Sequence, residues 1–244
     1  MFDFFHKKTP EKLFYATDMH AHLIPGVDDG APDTGTSTYC LAGLNELGVT
    51  RQLLTPHVTQ HTFENTRDTL AAPFAELKAA IAEAGIPVDV MHSAEYRLDD
   101  FFKKNVLGPD DFMLLPNNHV LIENSFVVQI LEFEEIVFEL KSRGYQPILA
   151  HPERYFYYRE KREKYKQLQQ YEVELQVNIL SFAGHYGKHE REIAWWMLEN
   201  GLVDYIGTDM HRRSHMDELR RFATTRDFRR LIKLQKVKND TAFI

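Results

Sequence analysis

The segment Asp18-Met19-His20-Ala21-His22 sets polar side chains at every second position. In an extended chain alternate side chains share a face, so Asp18, His20 and His22 point the same way. Two imidazoles so placed can chelate one cation, with Asp18 near enough to orient a ligand from behind. Similar groups recur downstream: Thr55-Pro56-His57, Ser93-Ala94-Glu95, Leu121-Ile122-Glu123, Ala150-His151-Pro152-Glu153-Arg154 and Thr208-Asp209-Met210-His211. A loop adds Val27-Asp28-Asp29-Gly30. Any one of these residues could be a hydrogen-bonded core group or a solvated carboxylate. Several carboxylates converging without counter-charge would each carry a large desolvation cost, which bound cations remove. Imidazoles with carboxylates and no thiolate suit Mn, Fe, Zn or Mg rather than a soft-metal site. Of the 12 histidines, His20, His22, His57, His151 and His211 fall in this set. His215 and His61 are the next candidates. His6, His92, His119, His185 and His189 are assigned to the surface, the core or the surroundings of the ligands.

Such groups need a frame that brings them together. Several segments follow one plan: an amphipathic helix, a glycine, a short apolar strand, then a metal-loving side chain. Gly48, Gly85, Gly144 and Gly201 stand where helices should stop. Apolar residues at three- and four-residue steps, Leu70, Phe74, Leu77 and Ile81 and then Phe133, Val137 and Leu140, predict helices before two of them. Pro73 predicts that the first of these begins near it or bends there. Strands are predicted over 13–17, 52–55, 88–91, 120–122, 147–150, 173–177 and 204–207, and all but the sixth run into His, Glu or Asp. That alternation implies a parallel α/β architecture, and the length suits a closed or distorted barrel with its chemistry at the C-terminal strand ends. Residues 99–118 lack helix periodicity and read as an irregular excursion. With no linker or composition break, one domain over 1–244 is expected, with an N-terminal extension (1–15) and a basic C-terminal segment (212–244).

At 43% hydrophobic and 27% charged residues, the chain has the composition of a soluble globular protein. It has no apolar run long enough to span a bilayer. The N-terminus places its aromatics before Lys7 and Lys8, the wrong layout for a secretory signal, so the cytoplasm is expected. Cys40 is the only cysteine, which excludes an intrachain disulfide. It lies among helix residues Tyr39, Leu41 and Leu44, where a buried inert thiol is expected. The thiol-dependent tyrosine phosphatases need an arginine six positions after their cysteine, and Glu46 stands there. Net charge of −7 argues against nucleic-acid binding. Residues 212–238 are locally rich in Arg and Lys, either as a solvated helix face or as a docking surface for an acidic partner.

These motifs, in this order, resemble the PHP (polymerase and histidinol phosphatase) superfamily, and within it the bacterial capsule-type metal-dependent tyrosine phosphatases. The most specific pieces are Asp18 to His22 followed by Pro25-Gly26-Val27-Asp28-Asp29-Gly30, then Thr55-Pro56-His57, His151-Pro152-Glu153-Arg154-Tyr155 and Thr208-Asp209-Met210-His211. The resemblance implies a distorted (β/α)7 TIM-like barrel holding three divalent metals, with Mn expected and Fe, Zn or Mg open. It implies that His20, His22, Glu95 and Asp209 hold one metal and that Glu95 bridges to a second, completed by Glu123 and His151. Asp29, His57 and His211 would hold the third. Arg154 matches an arginine that contacts phosphate. The loop after His211, which supplies another such arginine in the family, is short here and leaves Arg212 and Arg213 both as candidates. The implied activity is hydrolysis of a phosphotyrosyl protein by a metal-activated hydroxide, without a cysteinyl intermediate. The implied substrate is the tyrosine-rich tail of a bacterial autokinase controlling polysaccharide export. The alternatives are a small phosphomonoester such as histidinol phosphate, a nuclease, which the net acidity disfavours, or a non-catalytic metal-binding interaction module. A homo-oligomer stays open. In the extension, Phe2, Phe4, Phe5, Leu13 and Phe14 are expected to pack on the barrel rather than enter a membrane.

Overall fold

The computed structural model describes residues 9–107 and 112–243. Its strands are β1 (Thr17–Asp18), β2 (Arg51–Leu54), β3 (His57–Thr59), β4 (Phe63–Glu64), β5 (Asp89–His92), β6 (Glu95–Arg97), β7 (His119–Glu123), β8 (Gln146–Ala150), β9 (Glu174–Asn178) and β10 (Tyr205–Gly207). They form two sheets, β1-β2-β5 and β10-β9-β8-β7-β6-β3-β4. Every pairing is parallel except the β3–β4 hairpin. β2 and β3 are consecutive pieces of one strand direction, as are β5 and β6. β2 pairs with β5 up to Leu54 and His92, and β3 pairs with β6 from His57 and Glu95. Pro56 lacks an N–H and so interrupts the ladder there. Hydrogen bonds from Ser93 N to Leu54 O (2.7 Å) and from Glu95 N to Pro56 O (3.0 Å) carry the pairing across the gap. Beyond β1, Ala21 bridges Met210 in parallel, and Asp209 N and His22 N donate to His20 O and Met210 O at 2.8 and 2.9 Å. The two outermost parallel segments therefore meet at the end that carries the polar residues.

The helices are α1 (Thr34–Glu46), α2 (Arg67–Glu83), α3 (Asp100–Leu107), α4 (Phe133–Ser142), α5 (Glu163–Gln170), α6 (Ile179–Ala183), α7 (Lys188–Glu199), α8 (Arg213–Phe222), α9 (Arg226–Leu234) and α10 (Asn239–Ala242). The four glycines expected after helices all adopt positive φ, from 63° to 103°. α2 does not begin near Pro73: it starts at a Thr66–Thr69 capping box and carries Pro73 inside it. Leu70, Leu77 and Ile81 are buried on its inner face, while Phe74 is half-buried.

Residues 99–118 are not wholly irregular, since α3 occupies their first part. Asp99 starts it, its Oδ1 accepting from Phe102 N at 2.8 Å, and Phe102 then packs against Tyr96 and Phe112. The predicted strand over 13–17 shrinks to its last residue, because Leu13 N bonds Leu47 O (2.7 Å) rather than a neighbouring strand. Leu13 is buried and Phe14 packs on the core, as expected, whereas Phe2, Phe4 and Phe5 lie outside the described residues. α10 fastens the opposite end of the sheet: Asn239 Nδ2 donates to Thr17 O (3.1 Å) and Ile206 O (2.8 Å), and Asp240 accepts from Ala16 N and Thr17 N. No helix among the described residues is long and apolar enough to cross a membrane.

Candidate metal centre

His20 and His22 follow β1 and are fully buried. Each has its Nδ1 on an acceptor: His20 on Gln176 Oε1 (2.9 Å) and His22 on Asp28 Oδ2 (2.8 Å). With the Nδ1 atoms engaged there, the two Nε2 atoms are left facing each other at 3.1 Å, turned toward the carboxylates. Glu95 Oε2 lies 3.3 Å from both, and Asp209 Oδ1 lies 3.6 and 3.5 Å away. Two imidazole nitrogens this close, ringed by carboxylate oxygens, need positive charge between them, either a proton or a cation. Burial alone would lower His20, but the Glu95 and Asp209 carboxylates outweigh it and hold His20 above the ordinary imidazole value, at about 8. Glu95 Oε2 is also buried without a hydrogen-bond donor. This donor set fits a hard or borderline divalent ion.

The other donors surround this pair. His151 Nε2 is 3.0 Å from Glu95 Oε1 and 3.9 Å from Glu123 Oε2. His57 faces two ways, with Nδ1 3.2 Å from Glu95 and 3.5 Å from Glu123, and Nε2 3.4 Å from Asp29. His211 Nε2 is 3.6 Å from Asp29 Oδ1, and its ring stacks on that of His22. Among the described residues, three groups could hold a metal ion: His20, His22 and Glu95; His57, Glu95 and Glu123; and His22, Asp29, His57 and His211. Burial and the neighbouring Glu95 carboxylate push the Glu123 carboxyl up to about 8. Without cations, then, the cluster keeps a proton to limit its own repulsion.

Asp18 departs from expectation. Its carboxylate accepts from Thr208 N (2.9 Å), Thr208 Oγ1 (2.5 Å) and Gln52 Nε2 (3.0 Å), and orients neither histidine. It braces the residue before Asp209. The orienting partners are Gln176 and Asp28, and Asn178 Nδ2 holds Asp209 Oδ2 at 2.7 Å. Gln176 and Asn178 lie on β9, the strand that does not run into His, Asp or Glu at its C-terminal end. The available signal was their two-residue spacing within Leu175-Gln176-Val177-Asn178. Gly30 is required by contact: a Cβ there would lie 2.2 Å from His22 O and 2.5 Å from His22 Cβ. The Asp28-Asp29-Gly30 turn can thus lie directly against the histidine it orients.

Above the donors opens a cleft of about 400 Å³ whose lining includes Phe63, Arg97, Phe126, Arg154, Tyr186, Arg212 and His215. The Arg154 guanidinium lies between the rings of Phe126 (4.4 Å) and Tyr186 (4.1 Å), and its Nη1 is 3.1 Å from Asp209 Oδ2. Arg212 lines the cleft. Arg213 instead donates to Gly35 O (2.9 Å) and lies over Tyr39. His215 joins the lining, whereas His61 is exposed beside Glu64. Cys40 is buried in α1, outside the cleft lining.

The basic C-terminal helices spend much of their charge internally. Arg220 pairs with Glu46, Arg229 with Glu11, Arg230 with Glu199, and Lys238 with Glu174 and Asp204.

Parallel strands ending in a shared His–carboxylate cluster that could hold metal ions define the candidate centre of an α/β protein. The chain belongs to the family described as capsular polysaccharide synthesis, CpsB/CapC, which matches residues 16–229. It is similar to the tyrosine-protein phosphatase YwqE of Bacillus subtilis, at 26% identity over 199 residues, 80% of this chain and 76% of that protein. The tyrosine-protein phosphatase CpsB of Streptococcus pneumoniae is also 26% identical, over 204 residues covering 80% and 82%. Among solved structures, one from work on the metal-dependent tyrosine phosphatases YwqE of B. subtilis and CpsB of S. pneumoniae superposes with a TM-score of 0.75. It is 23% identical and covers 91% of this chain and 96% of its own. A phosphotriesterase homology protein from Escherichia coli shares the fold at 13% identity, with a TM-score of 0.53 over 97% and 96% of the two chains.

Proposed function

We propose that this chain is a metal-dependent phosphomonoester hydrolase acting on phosphotyrosyl protein, built as one domain in the form of a distorted (β/α)7 barrel. The barrel reading is supported by the parallel order of the strands and by the Ala21–Met210 bridge joining the two outermost segments. The observation that carries the catalytic reading is the pair of imidazole Nε2 atoms 3.1 Å apart, with Glu95 Oε2 equidistant from both, beneath a cleft lined by arginines.

In this reading His20, His22, Glu95 and Asp209 hold one divalent ion, and Glu95, Glu123 and His151 hold a second. Asp29, His57 and His211 hold the third. Manganese suits the mixture of imidazole and carboxylate. The ions supply charge neutralisation and a water acidified enough to act as nucleophile near neutral pH. The chain's own residues do the rest. Arg154, held flat between Phe126 and Tyr186, presents donors to the phosphoryl oxygens. Arg212 is the second phosphate-contacting arginine, because Arg213 is committed to Gly35 and Tyr39. The rings of Phe63 and Phe126 give the cleft apolar walls for an aryl group. A phenolate leaves comparatively easily, since its conjugate acid has a pKa of about 10. Membership of the capsular family supports the tail of a bacterial tyrosine autokinase as the substrate.

The test is phosphate release from a phosphotyrosyl peptide, with added Mn²⁺ and again after EDTA. Mn²⁺-dependent release that EDTA abolishes is the expected result. Turnover of a small phosphomonoester by metal-loaded protein, with no release from the peptide, would replace the phosphotyrosyl reading.

A further inference from the structure

β6 places Glu95 and Arg97 on one face, while Tyr96 turns into the core and its hydroxyl accepts from Met113 N at 2.7 Å. Two residues along a strand span about 6–7 Å, so the Arg97 backbone stands one step further along the strand than the metal-binding Glu95. The Arg97 side chain lines the cleft and is 26% exposed. It is tethered on one side: Nη1 donates to Asn124 O at 2.6 Å and lies 3.7 Å from Glu123 Oε1. It makes no other hydrogen bond among the described residues, which leaves most of a five-donor fork free.

Two phenyl rings mark the level at which an aryl group would rise from the metals. Phe63 stacks against His57 at 5.8 Å, and Phe126 lies 5.6 Å from the ring of His151. The phosphoryl end already has its cations in Arg154, beside Asp209, and Arg212, beside His211. Arg97 lies beside Glu123 of β7 on one side, and on the other β6 pairs with β3, whose Thr59 stands opposite Phe63 in the hairpin.

Resting on the phosphotyrosyl reading above, we propose that Arg97 is a specificity residue that binds the carboxylate of an acidic residue flanking the phosphotyrosine. A planar guanidinium anchored on one edge and open on the other suits a bidentate contact with Asp or Glu. Such a contact contributes about tenfold in affinity at a partly buried site.

The experiment uses the Mn²⁺-loaded full chain and two synthetic phosphotyrosyl peptides. They are identical except for Asp or the isosteric Asn on both sides of the phosphotyrosine. The wild type is expected to favour the Asp peptide by about tenfold in kcat/KM, mostly through KM. In Arg97→Gln the ratio falls to about one, and Arg97→Lys restores part of it. Each ratio is taken within one enzyme, so a general loss of activity or metal cancels. A wild-type ratio near one, or a preference that survives in Arg97→Gln, overturns the proposal. So does a ratio unchanged by Arg97→Gln alongside an equal loss on both peptides, which would assign Arg97 to the phosphoryl group or to Glu123. If the protein hydrolyses p-nitrophenyl phosphate but neither peptide, the phosphotyrosyl-protein reading itself has failed and this proposal falls with it.

Discussion

At the scale of single residues, the centre is defined by which nitrogen of each histidine is committed. Gln176 and Asp28 take the Nδ1 atoms of His20 and His22, leaving both Nε2 atoms for a cation. The arginines divide in the same way, by what each already touches. Arg154→Ala should lower kcat/KM on a phosphotyrosyl peptide by about 10²- to 10³-fold. Arg212→Ala should lower it by about tenfold or more, and Arg213→Ala should leave it within about twofold. Peptide kinetics on the three variants checks the order, and a larger loss from Arg213 than from Arg212 would reverse the assignment. Burial pushes the Cys40 thiol up to about 12, so it is not a nucleophile at neutral pH. Cys40→Ser should therefore keep full turnover. Loss of activity in a folded, metal-loaded Cys40→Ser protein would contradict a metal-centred reaction.

At the scale of elements, the turns and strand ends determine whether the donors meet. Gly30 lets the Asp28-Asp29 turn lie against His22, and an added methyl would overlap His22 O and Cβ. Gly30→Ala should leave a folded protein whose metal affinity, measured by titration calorimetry, is weaker by about 10- to 100-fold. On β9, Glu174 braces the opposite side of the molecule from its outer end. Burial alone would raise its carboxyl, but hydrogen bonds from His119, Lys238 and Tyr205 outweigh that and hold it at about 2. A folded-state value below the ordinary 4.5 stabilises above that pH, and the stability is lost as pH falls toward about 2. In metal-free protein, Glu174→Gln should therefore melt below the wild type at neutral pH, with the gap closing through that acid window. A gap that is constant with pH would mean that the carboxylate's charge is not what braces the strand.

At the scale of the whole molecule, folding collects Asp28, Asp29, Glu95, Glu123 and Asp209 around five imidazoles, with Arg154 on Asp209 and Arg97 beside Glu123 as the fixed cations paired with them. Bound metals should then act as a large stabilising ligand. At a concentration 100 times the Kd, a metal contributes about 2.7 kcal/mol. For a chain of this size that corresponds to a rise of roughly 5–10 °C in Tm. Calorimetry with Mn²⁺ and with EDTA measures it directly. An unchanged Tm would mean that the cluster does not bind the ion. The same view limits the basic C-terminal helices, whose Arg220, Arg229 and Arg230 are largely neutralised within the fold.

The sequence alone determined the residue types, because imidazoles and carboxylates recurring just past apolar strands have no cheaper physical reading than a shared cation. It also determined the helix ends, since only glycine stops those helices at no steric cost, and it disqualified Cys40. The tertiary structure decided everything that depends on neighbours remote in the chain. Asp18 turned from His20 to Thr208, 190 residues away, because strand pairing places those backbones side by side. Gln176 and Asn178 became the braces of the centre because β9 packs beside β10. Arg212 and Arg213 are adjacent in the chain, yet only the first steps of α8 send one toward the cleft and the other toward α1. Side-chain direction at such a turn is set by packing, which local spacing does not encode.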